Sequence, residues 1–178
     1  MFEAAVLQEM QDKSFKNFAL NAPCDQSTKF WAPNKAVDGN RNGYFFNYSC
    51  SHTILFKNFQ QRHWWQVDLR KLIFVSHIII ANRLDCCGDR LANFTVELGR
   101  LESNGSITYT LCRYHDGVAG PLTTLNCTRS IWGRFVRISL MGDALTLCEV
   151  EVYGDMDDNS TRLVPGNMAS LCLGPPVV

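Results

Sequence analysis

The sequence predicts an all-β fold, an antiparallel β-sandwich or jelly roll, and three observations carry the prediction. Short apolar runs recur along the chain with period-two alternation or β-branched density. Turn-forming Gly, Asn, Asp, Ser and Thr fall between them. No convincing long helical pattern interrupts the series, so sheet must pack on sheet.

Residues 1–16 read as an N-terminal arm or linker, with Phe2, Val6, Leu7 and Met10 at the spacing of a short amphipathic helix. The domain opens at Asn17 as an irregular segment. A loop dense in oxygen atoms follows, from Lys35 to Gly43, and then an aromatic cluster, Phe45-Phe46-Asn47-Tyr48, suited to core filling or to stacking on a ligand. Trp64–Leu69 reads as a strand with Trp65, Val67 and Leu69 on one face. Ile73–Ala81 reads as a buried strand in which His77 faces the core with Val75 and Ile79. Phe94–Leu98 and Ile107–Cys112 form a pair across the Glu102–Gly105 turn. Phe135–Leu140 turns Val136, Ile138 and Leu140 inward, and Cys148–Tyr153 does the same with Val150 and Val152. Residues 17–154 therefore make one domain. Residues 155–178, rich in Asp, Asn, Ser, Pro and Gly, read as a C-terminal tail.

Composition narrows the function. A chain of 178 residues with 46% hydrophobic content buries one ordinary core. Its formal net charge is zero, which argues against a general nucleic-acid or anionic-membrane binder. Eight cysteines and the sequons at Asn47, Asn93, Asn104, Asn126 and Asn159 together indicate an oxidising, secretory compartment and a secreted product. No apolar run approaches the roughly 20 residues of a membrane-spanning helix.

The chemistry concentrates in Arg83-Leu84-Asp85-Cys86-Cys87-Gly88-Asp89-Arg90, a loop between two predicted strands. It carries a guanidinium at each end and a carboxylate two residues after the first. Arginine's planar fork donates to two neighbouring oxygens at once, the geometry that reads vicinal hydroxyls. A bond between Cys86 and Cys87 would be strained, because adjacent α-carbons lie about 3.8 Å apart across a trans peptide, closer than ordinary disulfides allow. Pairing of each with a distant cysteine is the alternative; Gly88 and a plausible division of the other six cysteines favour the adjacent bond. Cys112 and Cys127 bracket a Gly- and Thr-rich loop and are natural partners; Cys24 and Cys172 are the leftover pair, which either joins the two tails or links to a neighbouring chain. Asp38 and Asn40 suit a hard cation such as calcium only with a second contribution from far along the chain, which Glu149 supplies if Cys50 bonds Cys148.

His52, Arg83-x-Asp85-x-x-x-x-Arg90, the upstream Ala-Val-Asp-Gly-Asn and the downstream Leu-Thr-Leu-Cys-Glu-Val-Glu-Val together resemble the F-type lectins, or fucolectins, over roughly Asn17 to Gly154. The resemblance implies a jelly roll of galactose-binding-domain type with bound calcium and a shallow pocket for L-fucose. It implies that His52, Arg83 and Arg90 hydrogen-bond the sugar and that Asp85 orients the arginines. Cys86–Cys87 touches its apolar edge, and Phe45 and Phe46 shelter its methyl group. It also implies a calcium set of Lys35 and Cys148 through carbonyls with Asp38, Asn40, Ser49 and Glu149, and the bridges Cys50–Cys148 and Cys112–Cys127. Cys24, Cys172 and both tails fall outside the pattern.

One monosaccharide is small, so a single site is expected to bind with a dissociation constant of order millimolar to micromolar, about 4 to 8 kcal/mol. Recognition of fucosylated glycans on glycoproteins or cell surfaces, in adhesion or innate immunity, then calls for a homo-oligomer or tandem lectin domains. Asn167-Met-Ala faintly echoes Asn17-Phe-Ala.

Two rivals belong to other classes. An enzyme is disfavoured, because the flanking arginines would hold Asp85 and Asp89 ionised and deny a glycosidase its general acid. Nor does a Gly-x-Ser-x-Gly, His-Glu-x-x-His or phosphate-loop motif occur. A discoidin-like adhesion module for protein or phospholipid shares the fold class, and the arginine pair favours sugar.

Overall fold

A computed structural model describes residues 16–56 and 61–156. The strands are β1 (Cys24–Gln26), β2 (Ser51–His52), β3 (Gln61–Ala81), β4 (Ala92–Leu101), β5 (Ile107–Val118), β6 (Leu122–Gly142), β7 (Thr146–Leu147) and β8 (Glu149–Met156). All their pairings are antiparallel: one sheet runs β1-β3-β6-β4-β5 with β8 on the other half of β3, and β2 pairs β7. The N-terminal arm, expected as a short helix, lies outside the described residues but for Lys16, as do most of the C-terminal tail and Cys172, left over with Cys24 in the sequence. β8 reaches Met156, two residues past the predicted domain end.

The strands predicted at Trp64–Leu69 and Ile73–Ala81 are two halves of one bent strand. Arg70 sits at φ 65° where the register against β6 shifts, between Asp68 and Ile73. The first half pairs β1 and the end of β6, and the second pairs β8 and the start of β6. The sheet thereby folds over a core drawn from both halves, including Trp65, Val67, Ile78, Ile80, Phe94, Val136, Ile138, Val150 and Val152, all fully buried. Each such side chain contributes about 1.5–3 kcal/mol by leaving water, so the alternation read from sequence is also the main stabilising term.

His77 is a correction. A bulge between Val75 and His77 shifts the alternation by one residue, so Ile78 and Ile80 point inward. His77 is left half-buried on the outer face, stacked on Tyr153 at 4.8 Å. One inserted residue exchanges the two faces of a strand.

Candidate functional site

The site forms where three segments meet at one end of the sheet. Phe45 and Phe46 lie on a single 3-10 turn, Phe45–Asn47; His52 ends β2; Arg83, Asp85, Cys86 and Cys87 lead from β3 into a second short turn, Gly88–Arg90. Trp65 Nε1 donates to the Pro33 carbonyl at 3.0 Å, tying the start of the first segment to β3. Disulfides join Cys50 to Cys148, Cys86 to Cys87 and Cys112 to Cys127, all three as the resemblance implies.

Two glycines allow the segments to close. A Cβ at Gly43 would stand 2.4 Å from Leu84 Cγ and 2.9 Å from the Asn82 carbonyl, and here the Leu84 N–H donates to the Gly43 carbonyl at 2.7 Å. A Cβ at Gly88 would meet the Arg83 carbonyl at 2.6 Å. The glycine after the cysteine pair is thus required by close approach, while the left-handed backbone falls on Cys87 itself, at φ 57°.

Phe45 is the hub. Its ring centroid lies 5.4 Å from the His52 ring, 4.3 Å from the Arg83 guanidinium carbon and 5.7 Å from Phe46. Phe46 is 78% exposed, an apolar wall open to solvent. Arg83 is buried and held by Asp85 through two hydrogen bonds, Nε to Oδ1 at 2.7 Å and Nη2 to Oδ2 at 3.0 Å. Asp85 Oδ1 also accepts the Phe45 N–H at 3.3 Å, so one carboxylate aligns the cation and the ring beneath it. The Arg83 hydrogen bonds bring the Asp85 pKa down to about 2.

Nη1 of Arg83 has no partner among the described residues and remains a donor. Arg90 is half-exposed and forms no ion pair among the described residues, so Asp85 orients Arg83 alone. Both guanidinium groups act on His52, whose pKa falls below the usual histidine value chiefly through burial; the Thr53 hydrogen bond opposes the shift and these two charges add to it. His52 Nδ1 bonds the Thr53 carbonyl, which places the proton there and leaves Nε2 as an acceptor. The site therefore offers two cationic donors, one neutral acceptor and an apolar wall.

The predicted cation set lies directly behind. Asp38, Asn40 and Asn42 each accept the backbone N–H two residues on, of Asn40, Asn42 and Tyr44, which coils the loop upon itself. Lys35 Nζ reaches Asp38 Oδ2 at 3.3 Å, and Ser49 Oγ donates to the Tyr44 carbonyl at 2.9 Å. Glu149 Oε1 accepts the Gly39 N–H at 3.1 Å, while its buried Oε2 has no partner. Burial lifts the Glu149 pKa to about 7. An unpartnered, buried carboxylate oxygen facing an oxygen-rich loop fits a hard cation. Among the described residues no three His, Cys, Asp or Glu side chains converge, so main-chain and amide oxygens would complete such a shell.

Two buried residues that sequence reasoning missed hold the site. Asn82 Nδ2 donates to the Gly88 and Ala119 carbonyls at 2.9 and 3.0 Å, and its Oδ1 accepts the Arg83 N–H. Gln26 Nε2 reaches the carbonyls of Thr28, Trp31 and His52, at 2.8, 2.8 and 2.9 Å. A polar residue closing the apolar run Ile73–Ala81 was the available sign for Asn82; Gln26 offered none. A cleft of about 410 Å³ between β5 and β6, lined by residues including Arg113, Asp116 and Asn126, shares no residue with this site.

Fold and site together define a carbohydrate-binding type of jelly roll. A family model for a NedA-like, galactose-binding domain matches residues 35–138. Fucolectin-3 of Anguilla japonica is 34% identical over 146 residues, covering 77% of this chain and 78% of that protein. A fucose binding module from Streptococcus pneumoniae superposes with TM-score 0.66 at 33% identity, covering 79% of this chain and 96% of the module. An F-lectin (fucolectin) from striped bass (Morone saxatilis) serum gives TM-score 0.68 at 38% identity over 78% of this chain and 48% of its own. The chain belongs to the fucolectin, or F-type lectin, family.

Proposed function

We propose that this protein is a secreted, calcium-containing, non-catalytic lectin that binds L-fucose on fucosylated glycans. The observation that carries the reading is the arrangement around Phe45: the neutral His52 ring, the Asp85-aligned guanidinium of Arg83 and the exposed Phe46 ring share one aromatic hub, with Arg90 beside them. Arg83 and Arg90 donate to sugar oxygens, His52 Nε2 accepts a sugar hydroxyl, and Phe46 with the Cys86–Cys87 sulfurs covers the methyl edge. A hydroxyl of the wrong configuration leaves one of these groups unpaired, which is how stereochemistry is discriminated. Each charge-assisted bond contributes roughly 1.5–3 kcal/mol where water is partly excluded.

Calcium, held by Asp38, Asn40, Ser49, Glu149 and the carbonyls of Lys35 and Cys148, supplies positive charge against the buried Glu149 carboxylate and fixes the loop behind the hollow. The homologues' lectin names support a binding role rather than catalysis. Sites of this strength act through several copies, as a homo-oligomer or as tandem domains.

A glycan array probed with and without chelator tests the reading. Fucosylated glycans are retained by the wild type and lost in Arg90→Ala, a half-exposed residue whose truncation spares the core. Retention of the same glycans by correctly folded Arg90→Ala, or selective binding to phospholipid vesicles in place of glycans, overturns it.

A further inference from the structure

The cleft between β5 and β6 separates two strand edges that have no partner. β5 pairs with β4 along one side, and the start of β6, Leu122 to Asn126, pairs with β3 along one side; no ladder joins β5 to β6 among the described residues. The two strands are nevertheless tied at both ends of the cleft. At one end Cys112 and Cys127 are bridged, with their α-carbons 4.4 Å apart. At the other, the Ala119 N–H donates to the Leu91 carbonyl at 2.8 Å and the Asn82 N–H to the Pro121 carbonyl at 3.0 Å. The result is a slot with fixed ends and open main chain along its length.

Open strand edges invite pairing with another chain, and proteins shorten, charge or cover them. One residue of the slot carries the means of covering it. Asn126 is exposed, lines the slot and opens the sequon Asn126-Cys127-Thr128, an acceptor for an N-linked glycan. The sequon asparagines Asn47, Asn93 and Asn104 do not line it. The other lining groups suit a hexosamine. Tyr114 offers a ring that is 49% exposed, and Arg113, Asp116 and Thr124 make no side-chain hydrogen bond among the described residues. His115, stacked on the buried Phe94 at 4.9 Å, has a buried Nε2 without a partner, a group that calls for one.

We infer that Asn126 is an N-glycosylation site whose first N-acetylglucosamine lies in this slot and covers the free edges of β5 and β6. In the transfer, Asn126 Nδ2 bonds to the anomeric carbon of the sugar. The bond from that carbon to the diphosphate of a lipid-linked oligosaccharide donor breaks, the diphosphate leaves with the electron pair, and the amide gives up one proton; nothing is oxidised or reduced. Transfer takes place before folding, since in the folded chain Cys127 is bridged and Thr128 Oγ1 donates to the Cys112 carbonyl at 3.3 Å. The inference rests on the proposed secretion of the chain and is independent of its sugar ligand. With this edge covered, copies that assemble into a homo-oligomer must meet through another surface.

The test is expression of the full chain through a eukaryotic secretory pathway, glycopeptide mapping by mass spectrometry, and hydrogen–deuterium exchange of wild type against Asn126→Gln. Asn126 is expected to carry a glycan in most molecules. The amides of 113–116 are expected to exchange about threefold or more faster in Asn126→Gln than in wild type, with those of 64–68 unchanged. The substitution keeps an amide at an exposed position; where it is not secreted, wild type stripped of its glycan by an amidase gives the same comparison. Wild type trimmed enzymatically to a single N-acetylglucosamine keeps the slow exchange, which separates cover by the first sugar from an effect of the substitution. Fast exchange in the trimmed protein, or equal exchange in wild type and Asn126→Gln, marks a glycan that projects into solvent and overturns the inference. Occupancy at other sequons with Asn126 bare also overturns it and leaves secretion standing. A chain retained in the cell with every sequon bare removes the secreted reading, and this inference with it.

Discussion

Replacing Asp85 by asparagine probes the site and the fold in one substitution. The carboxylate carries two hydrogen bonds from Arg83, and both side chains are largely withdrawn from water, 6% exposed for Arg83 and 12% for Asp85. Its pKa falls from 3.8 to about 2, mainly through those bonds; at about 1.4 kcal/mol per pH unit that preference for the charged form is worth about 2 kcal/mol. The folded-state value is depressed, so this stability is fully present above the unfolded value near 3.8 and is lost as pH falls through about 2. The substituted amide keeps one acceptor for Arg83 and loses the charge, so Asp85→Asn is expected to cost about 2 kcal/mol at pH 7, or roughly 4–8 °C in melting temperature. Asp85→Ala leaves a buried guanidinium unpaired and costs about 3–5 kcal/mol. Urea unfolding followed by tryptophan fluorescence measures both, and titration with L-fucose measures the aim of Arg83. Stability within about 0.5 kcal/mol of wild type together with unchanged fucose affinity in Asp85→Asn would refute the argument that this carboxylate orients the cation.

Four further outcomes follow from the same geometry. L-fucose affinity drops as the pH is lowered through the depressed His52 value, below 6.5, because protonation turns Nε2 from acceptor to donor between two cations; fold stability is present above that range and declines with it, and an affinity flat across the whole acid range in which the protein stays folded contradicts the assignment. Burial raises the Glu149 value from 4.5 to about 7 in the folded chain. Metal-free protein therefore loses about 2 kcal/mol as the pH rises from 5 to 7 and that carboxylate is forced to ionise. Calcium then raises the melting temperature more at pH 7 than at pH 5, and Glu149→Gln removes both the slope and the calcium response. Changing Cys86 and Cys87 together to Ser leaves the melting temperature nearly unchanged, since the bond closes no loop, yet weakens fucose binding. The bridge between Cys112 and Cys127 spans a sequence separation of 15. Changing both to Ser costs about 3 kcal/mol in thermal unfolding and spares the sugar.

What the sequence revealed and what it withheld divide along physical lines. The inward residues Trp65, Val67, Val136, Ile138, Val150 and Val152 were legible because period-two alternation is a local property that burial enforces. His77 was misplaced because a bulge carries no reliable local mark, and one extra residue inverts every assignment after it. Arg83, Asp85 and the cysteine pair were legible because their chemistry is compressed into a few positions. Gln26 was not: its three acceptors belong to Thr28, Trp31 and His52, brought together only when β2 closes on the segment before the 3-10 turn at Pro33. The stacking of Trp31 on Tyr48 was hidden for the same reason, since it spans a stretch of chain that local pattern does not connect.

The loop of the proposed cation set and the arginine loop are joined by a continuous series of contacts. Glu149 accepts the Gly39 N–H, and the coiled turns from Asp38 to Tyr44 carry that anchor to Gly43. Gly43 docks against Leu84, one residue from Arg83, through a 2.7 Å hydrogen bond and a contact that admits no side chain. From the other direction, Cys148 is bonded to Cys50, two residues before His52, while the Cys148 N–H donates to the Ala81 carbonyl, two residues before Arg83. A charge brought to Glu149 thus acts on backbone that leads to both His52 and Arg83, without touching the sugar. Because these links are short, covalent or sterically exclusive, displacement of the loop moves the donors rather than being absorbed on the way, and small shifts suffice: hydrogen bonds weaken steeply once distance and angle depart from their optimum. Removing a cation from Glu149 is therefore expected to weaken sugar binding, because the same backbone links lead from it to His52 and Arg83.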